Sequence, residues 1–246
     1  MKIIAPSKLK IRFYLFVTLF TIIVGIAGGN LIVNLFSAVD VSIKNLKYKT
    51  VIIDAGHGGP DGGTSAEDGT LEKELNLQIA KKLNDILMSM GIETVMIRTD
   101  DVSIHDDTAE TIREKKISDI KNRLSILNNT DNAIYVSIHQ NHFSQEKYSG
   151  TQVFYSKNNP DSRNLADYIR QSVITVLQPE NSREIKQSGS DIYLLYHAEN
   201  PAVMVECGFL SNAEEAGKLK DDKYQSKLAL LIALGIMDFI NKTEAA

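Results

Sequence analysis

TVIIDAGHGGPDGG, residues 50–63, begins as a β-branched run and breaks into a loop carrying five glycines. Val51, Ile52, Ile53 and Asp54 have the composition of a short strand, and the glycines that follow end it. Beyond them Leu75, Ile79, Leu83, Ile86, Leu87 and Met90 recur at helical spacing, which predicts an amphipathic helix over 72–90 stopped by Gly91. Strand, glycine-rich turn and helix in that order open an alternating α/β chain.

Further strands are predicted at 94–97, 133–138, 151–155, 191–195 and 202–205, and further helices at 116–128, 163–177 and 224–241. This alternation implies one three-layer α/β domain, a twisted, mostly parallel sheet of about six strands with helices on both faces. Residues 100–115 hold six acidic side chains and little apolar periodicity, and read as a long surface loop placed to act as a lid.

The 246 residues are 43% hydrophobic and 24% charged, with 27 basic and 31 acidic side chains, which excludes a disordered, collagenous or repeat-built chain. A single cysteine, Cys207, forms neither an internal disulfide nor a multi-thiolate metal site, so the fold rests on its apolar core. The N-terminus departs from these averages. Lys2, Lys8, Lys10 and Arg12 stand there without an acid, and residues 13–36 carry no charged side chain. At about 1.5 Å per helical residue such a run crosses a ~30 Å hydrocarbon core with some tilt. Ala27, Gly28 and Gly29 suit a cleaved export signal, while the apolar continuation through Leu31, Ile32, Val33 and Leu35 favours a retained membrane anchor over residues 1–40. The positive-inside rule then keeps the basic end in the cytoplasm and exports the rest. Without its four N-terminal cations the chain has 23 basic against 31 acidic side chains, net −8, the wrong sign for a nucleic-acid partner.

Three predicted strands end in polar residues. The first runs into His57, the strand at 133–138 into His139, and the strand at 202–205 into Glu206. In open α/β sheets the carboxyl ends of strands line the binding crevice, so two imidazoles and a carboxylate are expected to converge there. Glycines beside His57 leave room for a metal or ligand to approach. They lack the Lys-Ser/Thr pair of a P-loop and the spacing of a dinucleotide fingerprint. Two histidines can hold zinc, and a catalytic zinc site has a third protein ligand. Asp61, Glu67, Asp68, Glu72 and Glu74 are the acidic candidates nearby. Spacing does not choose between Glu72 and Glu74, and the macrodipole alone favours a carboxylate in the first turn of a helix.

The stretches VIIDAGHGGPDGG, GTLEKELNLQIAKKL, YVSIHQN and PAVMVECGFLSN, in that order, resemble the zinc-dependent N-acetylmuramoyl-L-alanine amidases of the amidase-3 family over residues 50–242, the expected catalytic domain. Matched residue by residue, the resemblance implies that His57, Glu72 and His139 hold Zn²⁺ and that Glu206 is the catalytic glutamate. The implied reaction is hydrolysis of the peptidoglycan amide joining N-acetylmuramic acid to the first L-alanine of the stem peptide, with Glu206 passing a proton from water to the leaving amine. Two departures from the family stand out: His142 occupies a position where the family commonly has alanine, and the segment between Arg98 and Arg123 is longer than usual.

A short form with a hydrophobic N-terminus and no wall-binding module most resembles the sporulation or germination amidases of spore cortex. Their action prepares muramic acid for δ-lactam formation by a separate deacetylase, and an activating protein partner is a further expectation. Two rival readings share the motifs. One is a catalytically idle peptidoglycan-binding or amidase-activating module, which has no need of Glu206; the other is a zinc peptidase cutting within the stem peptide. Of the remaining residues, Cys207 reads as packing, His105 as solvated and His197 as core or surface. Asn141 and Asn212 suit substrate contacts or turn and cap positions equally, and Glu214 with Glu215 reads as a solvated helix start.

Overall fold

The computed structural model describes residues 46–244, so the export segment expected over residues 1–40 lies outside the described residues. Among them no helix is long and apolar enough to cross a membrane. Six strands, β1 (Thr50–Ala55), β2 (Glu93–Met96), β3 (Ala133–Asn141), β4 (Gln152–Tyr155), β5 (Lys186–Gln187) and β6 (Ala202–Phe209), form one sheet in the order β2-β1-β3-β6-β4-β5. Strands β2, β1, β3 and β6 are parallel; β4 runs antiparallel to β6, with β5 parallel to β4 at the edge.

The described helices are α1 (Glu72–Ser89), α2 (Ile112–Asn129), α3 (Asp161–Val176), α4 (Tyr193–His197), α5 (Ala213–Lys220) and α6 (Asp222–Glu244). Helix α1 lies against β1, β2 and β3, α3 against β4 and β6, and α6 packs over both helices. Side chains alternate along the strands, so Ile52, Tyr135 and Ala202 form one row on a single face, with Asp54, Ser137 and Met204 the next row on it. Leu127 of α2 and Leu194 and Leu195 of α4 join the first row in a buried cluster. The sheet therefore carries helices on both faces, as the alternation predicts.

Two boundaries differ from expectation. Residues 191–195 are not a strand: the backbone closes a turn from Tyr196 N–H to Ile192 C=O at 2.9 Å, and α4 buries the adjacent Leu194 and Leu195 together. Strand alternation would have sent those two leucines to opposite faces, and so short an apolar run does not reveal its period. The sixth strand is the two-residue β5 instead. Helix α2 also begins earlier than residue 116. Thr111 Oγ1 accepts from Glu114 N–H at 3.2 Å while the Glu114 carboxylate accepts from Thr111 N–H at 2.9 Å, a capping box that starts the helix inside the expected loop.

What remains of that loop is pinned to α2. Asp119 accepts from Ser103 Oγ at 2.9 Å and from Ile104 N–H at 2.7 Å, and Asn122 Nδ2 donates to Ile104 C=O at 2.8 Å. These bonds hold the segment against the helix, and it is Asp119, Ile120 and Arg123 of α2, not the loop, that line the site cavity.

Candidate active site

His139 and Glu206 are register neighbours on β3 and β6, continuing the face of Asp54 and Ser137 beyond the helical cover. His57 follows β1, and Glu72 opens α1. All four line one cavity of about 420 Å³ at the carboxyl ends of the parallel strands, with His142 and Tyr193 also in its wall.

The loop after β1 is shaped by what surrounds it. A Cβ at Gly56 would lie 2.2 Å from His139 Nε2, so only glycine lets that ring lie over the chain. His57 itself has a φ of 64°, unusual for a residue with a side chain, and its neighbours hold it there. Arg123 Nη2 donates to His57 C=O at 2.8 Å, and Arg98 donates to Ala55 C=O at 2.8 Å and Gly56 C=O at 3.1 Å. Asn76 Nδ2 adds a bond to Gly56 C=O at 3.1 Å.

Beneath this loop Asp54 is buried with Arg123, Tyr135 and Ser137. The Arg123 guanidinium pairs with Asp54, the Tyr135 hydroxyl donates to it, and Ser137 Oγ donates at 3.0 Å. Burial disfavours the Asp54 charge, but the guanidinium and the two hydroxyls together hold its carboxyl below the usual range. Asp119, one turn before Arg123 on α2, bonds the Nε of the same guanidinium at 2.6 Å.

A ring nitrogen of His57, a Glu72 oxygen and a ring nitrogen of His139 lie within 4.8 Å of one another. Glu72 sits between the imidazoles, with Oε2 3.2 Å from His57 Nε2 and Oε1 2.9 Å from His139 Nδ1. Its orientation is fixed by N–H groups of Thr64 at 2.9 Å and Gln140 at 3.1 Å, and Asn76 Nδ2 approaches at 3.3 Å. Glu72 is buried while Glu74 is exposed, so the fold separates the two carboxylates that spacing left equal. Burial opposes the Glu72 charge, yet the flanking histidines hold its pKa far below normal. Burial likewise disfavours a charged His57, and hydrogen bonds to Asp61 and Glu72 overcome it, lifting the imidazole to about 9.

Glu206 stands apart from that network. Its Oε2 is buried and has no hydrogen-bond partner, and burial pushes its pKa up to about 7. A half-buried carboxyl with one sealed, unpartnered oxygen, pushed up to about 7 beside a cluster of donors, has the properties of a general acid–base.

Other residues fall into place as packing or caps. Cys207 is buried, which pushes its thiol far above the reactive range. His142 is exposed and outside the three-residue donor set. His105 is half-buried and bonded to Ser103 Oγ at 2.9 Å, while exposed His197 lies against the rings of Tyr193 and Tyr196. Asn212 caps α5 by accepting from Glu215 N–H. Of the two acids read as solvated, Glu214 is exposed but Glu215 is buried. Glu215 accepts from Gly150 and Phe209 N–H groups at 2.8 Å each, tying β6 to the start of β4.

A three-layer α/β domain with two imidazoles and two carboxyls converging at its strand ends defines a hydrolytic enzyme with a candidate metal centre. The chain belongs to the Amidase_3 family of N-acetylmuramoyl-L-alanine amidases, whose profile matches residues 51–238. It is 32% identical over 197 residues to the germination-specific N-acetylmuramoyl-L-alanine amidase of Bacillus subtilis (strain 168), covering 80% of this chain and 82% of the relative. The solved CwlD amidase from Clostridioides difficile, in complex with the GerS lipoprotein, superposes with a TM-score of 0.76 at 41% identity, over 79% of this chain and 99% of that one. A second solved structure, an N-acetylmuramoyl-L-alanine amidase from Clostridium difficile 630, gives 0.69 at 32% identity, over 79% and 98%. The chain is accordingly an amidase of peptidoglycan, acting outside the cytoplasm.

The close approach at Gly56 carries a direct expectation. Gly56→Ala should force the His139 ring aside and lower peptidoglycan hydrolysis by about 100-fold, the scale of a misplacement of about 1 Å at a reacting centre. Turbidity loss of a peptidoglycan suspension, read beside circular dichroism of the folded variant, checks it.

Proposed function

We propose that this amidase is a zinc enzyme of spore cortex peptidoglycan, exported and held at the membrane by residues 1–40, with residues 50–242 as its catalytic domain. The observation that carries the zinc reading is the convergence of His57, Glu72 and His139 on one point, with the unpartnered Glu206 oxygen beside them. Two imidazoles and one carboxylate with room for a further ligand match the donor chemistry of catalytic zinc. His57 Nε2, Glu72 and His139 Nδ1 would hold the ion. Bound there, zinc supplies a Lewis acid for the scissile carbonyl and lowers the pKa of water.

The remaining work falls to this chain. Glu206 takes a proton from the attacking water as its oxygen adds to the carbonyl carbon of the lactyl group. When the C–N bond to L-alanine breaks, Glu206 gives that proton to the leaving amine. The cortex assignment is supported by the germination-specific relative and the CwlD structure. The latter, solved with a lipoprotein, also supports a protein partner for this enzyme. A separate deacetylase would act on the stripped muramic acid to complete the δ-lactam.

Digestion of purified cortex peptidoglycan by the full-length chain with Zn²⁺, followed by mass analysis, tests the reading. Free L-alanine amino termini and stem-free glycan are expected. Cuts inside the stem peptide would make the chain a peptidase, and intact peptidoglycan after treatment with zinc-loaded, folded protein would leave it a binding module. His139→Ala is expected to lose zinc, measured by chelator competition, and cortex made without this enzyme is expected to lack muramic δ-lactam.

A further inference from the structure

Helix α2 packs Leu127, with the partly buried Ile120, Leu124 and Ile126, against the core on one side. Lys116, Asp119 and Arg123 follow one another at i, i+3 and i+7, a polar stripe aimed at the loop that carries His57. Arg123 grips the backbone carbonyl of His57 at 2.8 Å. Lys116 reaches the other end of the same residue through Asp61. Its Nζ lies 2.7 Å from Asp61 Oδ1, and Asp61 Oδ2 lies 2.9 Å from His57 Nδ1.

The two carboxylate oxygens of Asp61 thus have different partners, and the lysine sets the plane in which the carboxylate meets the ring. The Asp61 backbone is fixed as well, exchanging hydrogen bonds with Gly58 at 2.9 and 3.1 Å. An ionised carboxylate only accepts, so His57 Nδ1 carries the proton of that bond and Nε2, facing Glu72, is the atom left for a cation.

We propose that Lys116 is a positioning residue which, through Asp61, orients the His57 ring for metal, so that one helix fixes both ends of this ligand. The inference rests on the zinc reading of His57, Glu72 and His139, and goes beyond it by assigning part of the metal affinity to a lysine on a separate helix. Lys116 is half-exposed at the rim, where its replacement leaves the buried Arg123 and Leu127 in place.

The test is zinc affinity of the full-length chain in detergent, by competition with a chromophoric chelator, beside the unfolding midpoint of each metal-free variant. Asp61→Asn is expected to weaken zinc binding by about 10- to 100-fold, the range for groups that orient a ligating histidine. Lys116→Ala is expected to weaken it by about 3- to 5-fold at low salt, the scale of a partly exposed ion pair, with no change in midpoint. Lys116→Arg should restore the affinity, and Lys116→Ala should add nothing in an Asp61→Asn background. Wild-type affinity for Lys116→Ala, or the same loss with Asp61 already replaced, would overturn the role of Lys116. His57→Ala separates the two readings: wild-type zinc affinity there removes the metal site itself, whereas loss there beside unaffected Asp61 and Lys116 variants sinks only the relay.

Discussion

Glu206→Gln is expected to fold and bind zinc as the unaltered chain does, and to turn over peptidoglycan about 10²- to 10⁴-fold more slowly, the range for loss of a general acid–base. The substitution keeps shape and volume, and Glu206 lies outside the three-residue donor set, so metal retention separates its role from those of His57, Glu72 and His139. An amide cannot take a proton from water and return it to an amine. The carboxyl, pushed up to about 7 by burial, exists near neutrality in both forms that those two steps need. A cation bound alongside would favour the carboxylate and draw that value down. The acid limb of the pH–rate profile should therefore fall below about pH 7, and it should vanish in the residual activity of Glu206→Gln. Equal turnover by variant and unaltered enzyme would remove Glu206 from the reaction.

The second large effect concerns stability. Arg123→Met leaves Asp54 buried without its counter-charge, and breaking a buried pair by removing one partner costs about 3–5 kcal/mol. The same side chain donates to the carbonyls of Ala55 and His57, so the loop loses the bonds that keep His57 in its left-handed conformation. Urea unfolding should show the loss, and hydrolysis should fall with it. Arg123→Lys should recover only part, because an ammonium cannot reproduce the planar fork that serves Asp54, Asp119 and two carbonyls together. The Asp54 carboxyl is held below its ordinary pKa of about 3.9, so its contribution to stability is complete above that value and disappears as pH falls through the folded-state pKa. The stability gap between the native chain and Arg123→Met should therefore narrow in acid; a gap independent of pH would contradict an ionised Asp54.

Much of the architecture is legible because period and punctuation agree. The run from Thr50 and the helix after it have unambiguous periods, and the histidines and Glu206 stand where parallel strands end. Glu72 was harder to single out, since a first-turn carboxylate has a sufficient explanation in the helix dipole; only the packed chain shows it buried between two imidazoles with Glu74 in solvent. Residues 191–195 mislead because five residues hold too little period to separate strand from helix. The polar network under the loop escapes a search for site residues, although it leaves a signal. Asp54 ends an apolar strand and Arg123 lies one turn before buried Leu127, and a charge at an inward position requires a partner.

The phase of α2 has a consequence for how this protein tolerates change in length. Lys116, Asp119 and Arg123 meet Asp61, the pinned loop and Asp54 only because all three share one side of the helix. Each residue advances an α-helix by about 100°. A single insertion between Lys116 and Arg123 would swing one end of the stripe away from the site, while the exposed turn at 107–110, before the capping box, can lengthen without disturbing it. Lineages of this enzyme should differ in size at that turn and keep the helix that follows it in strict register.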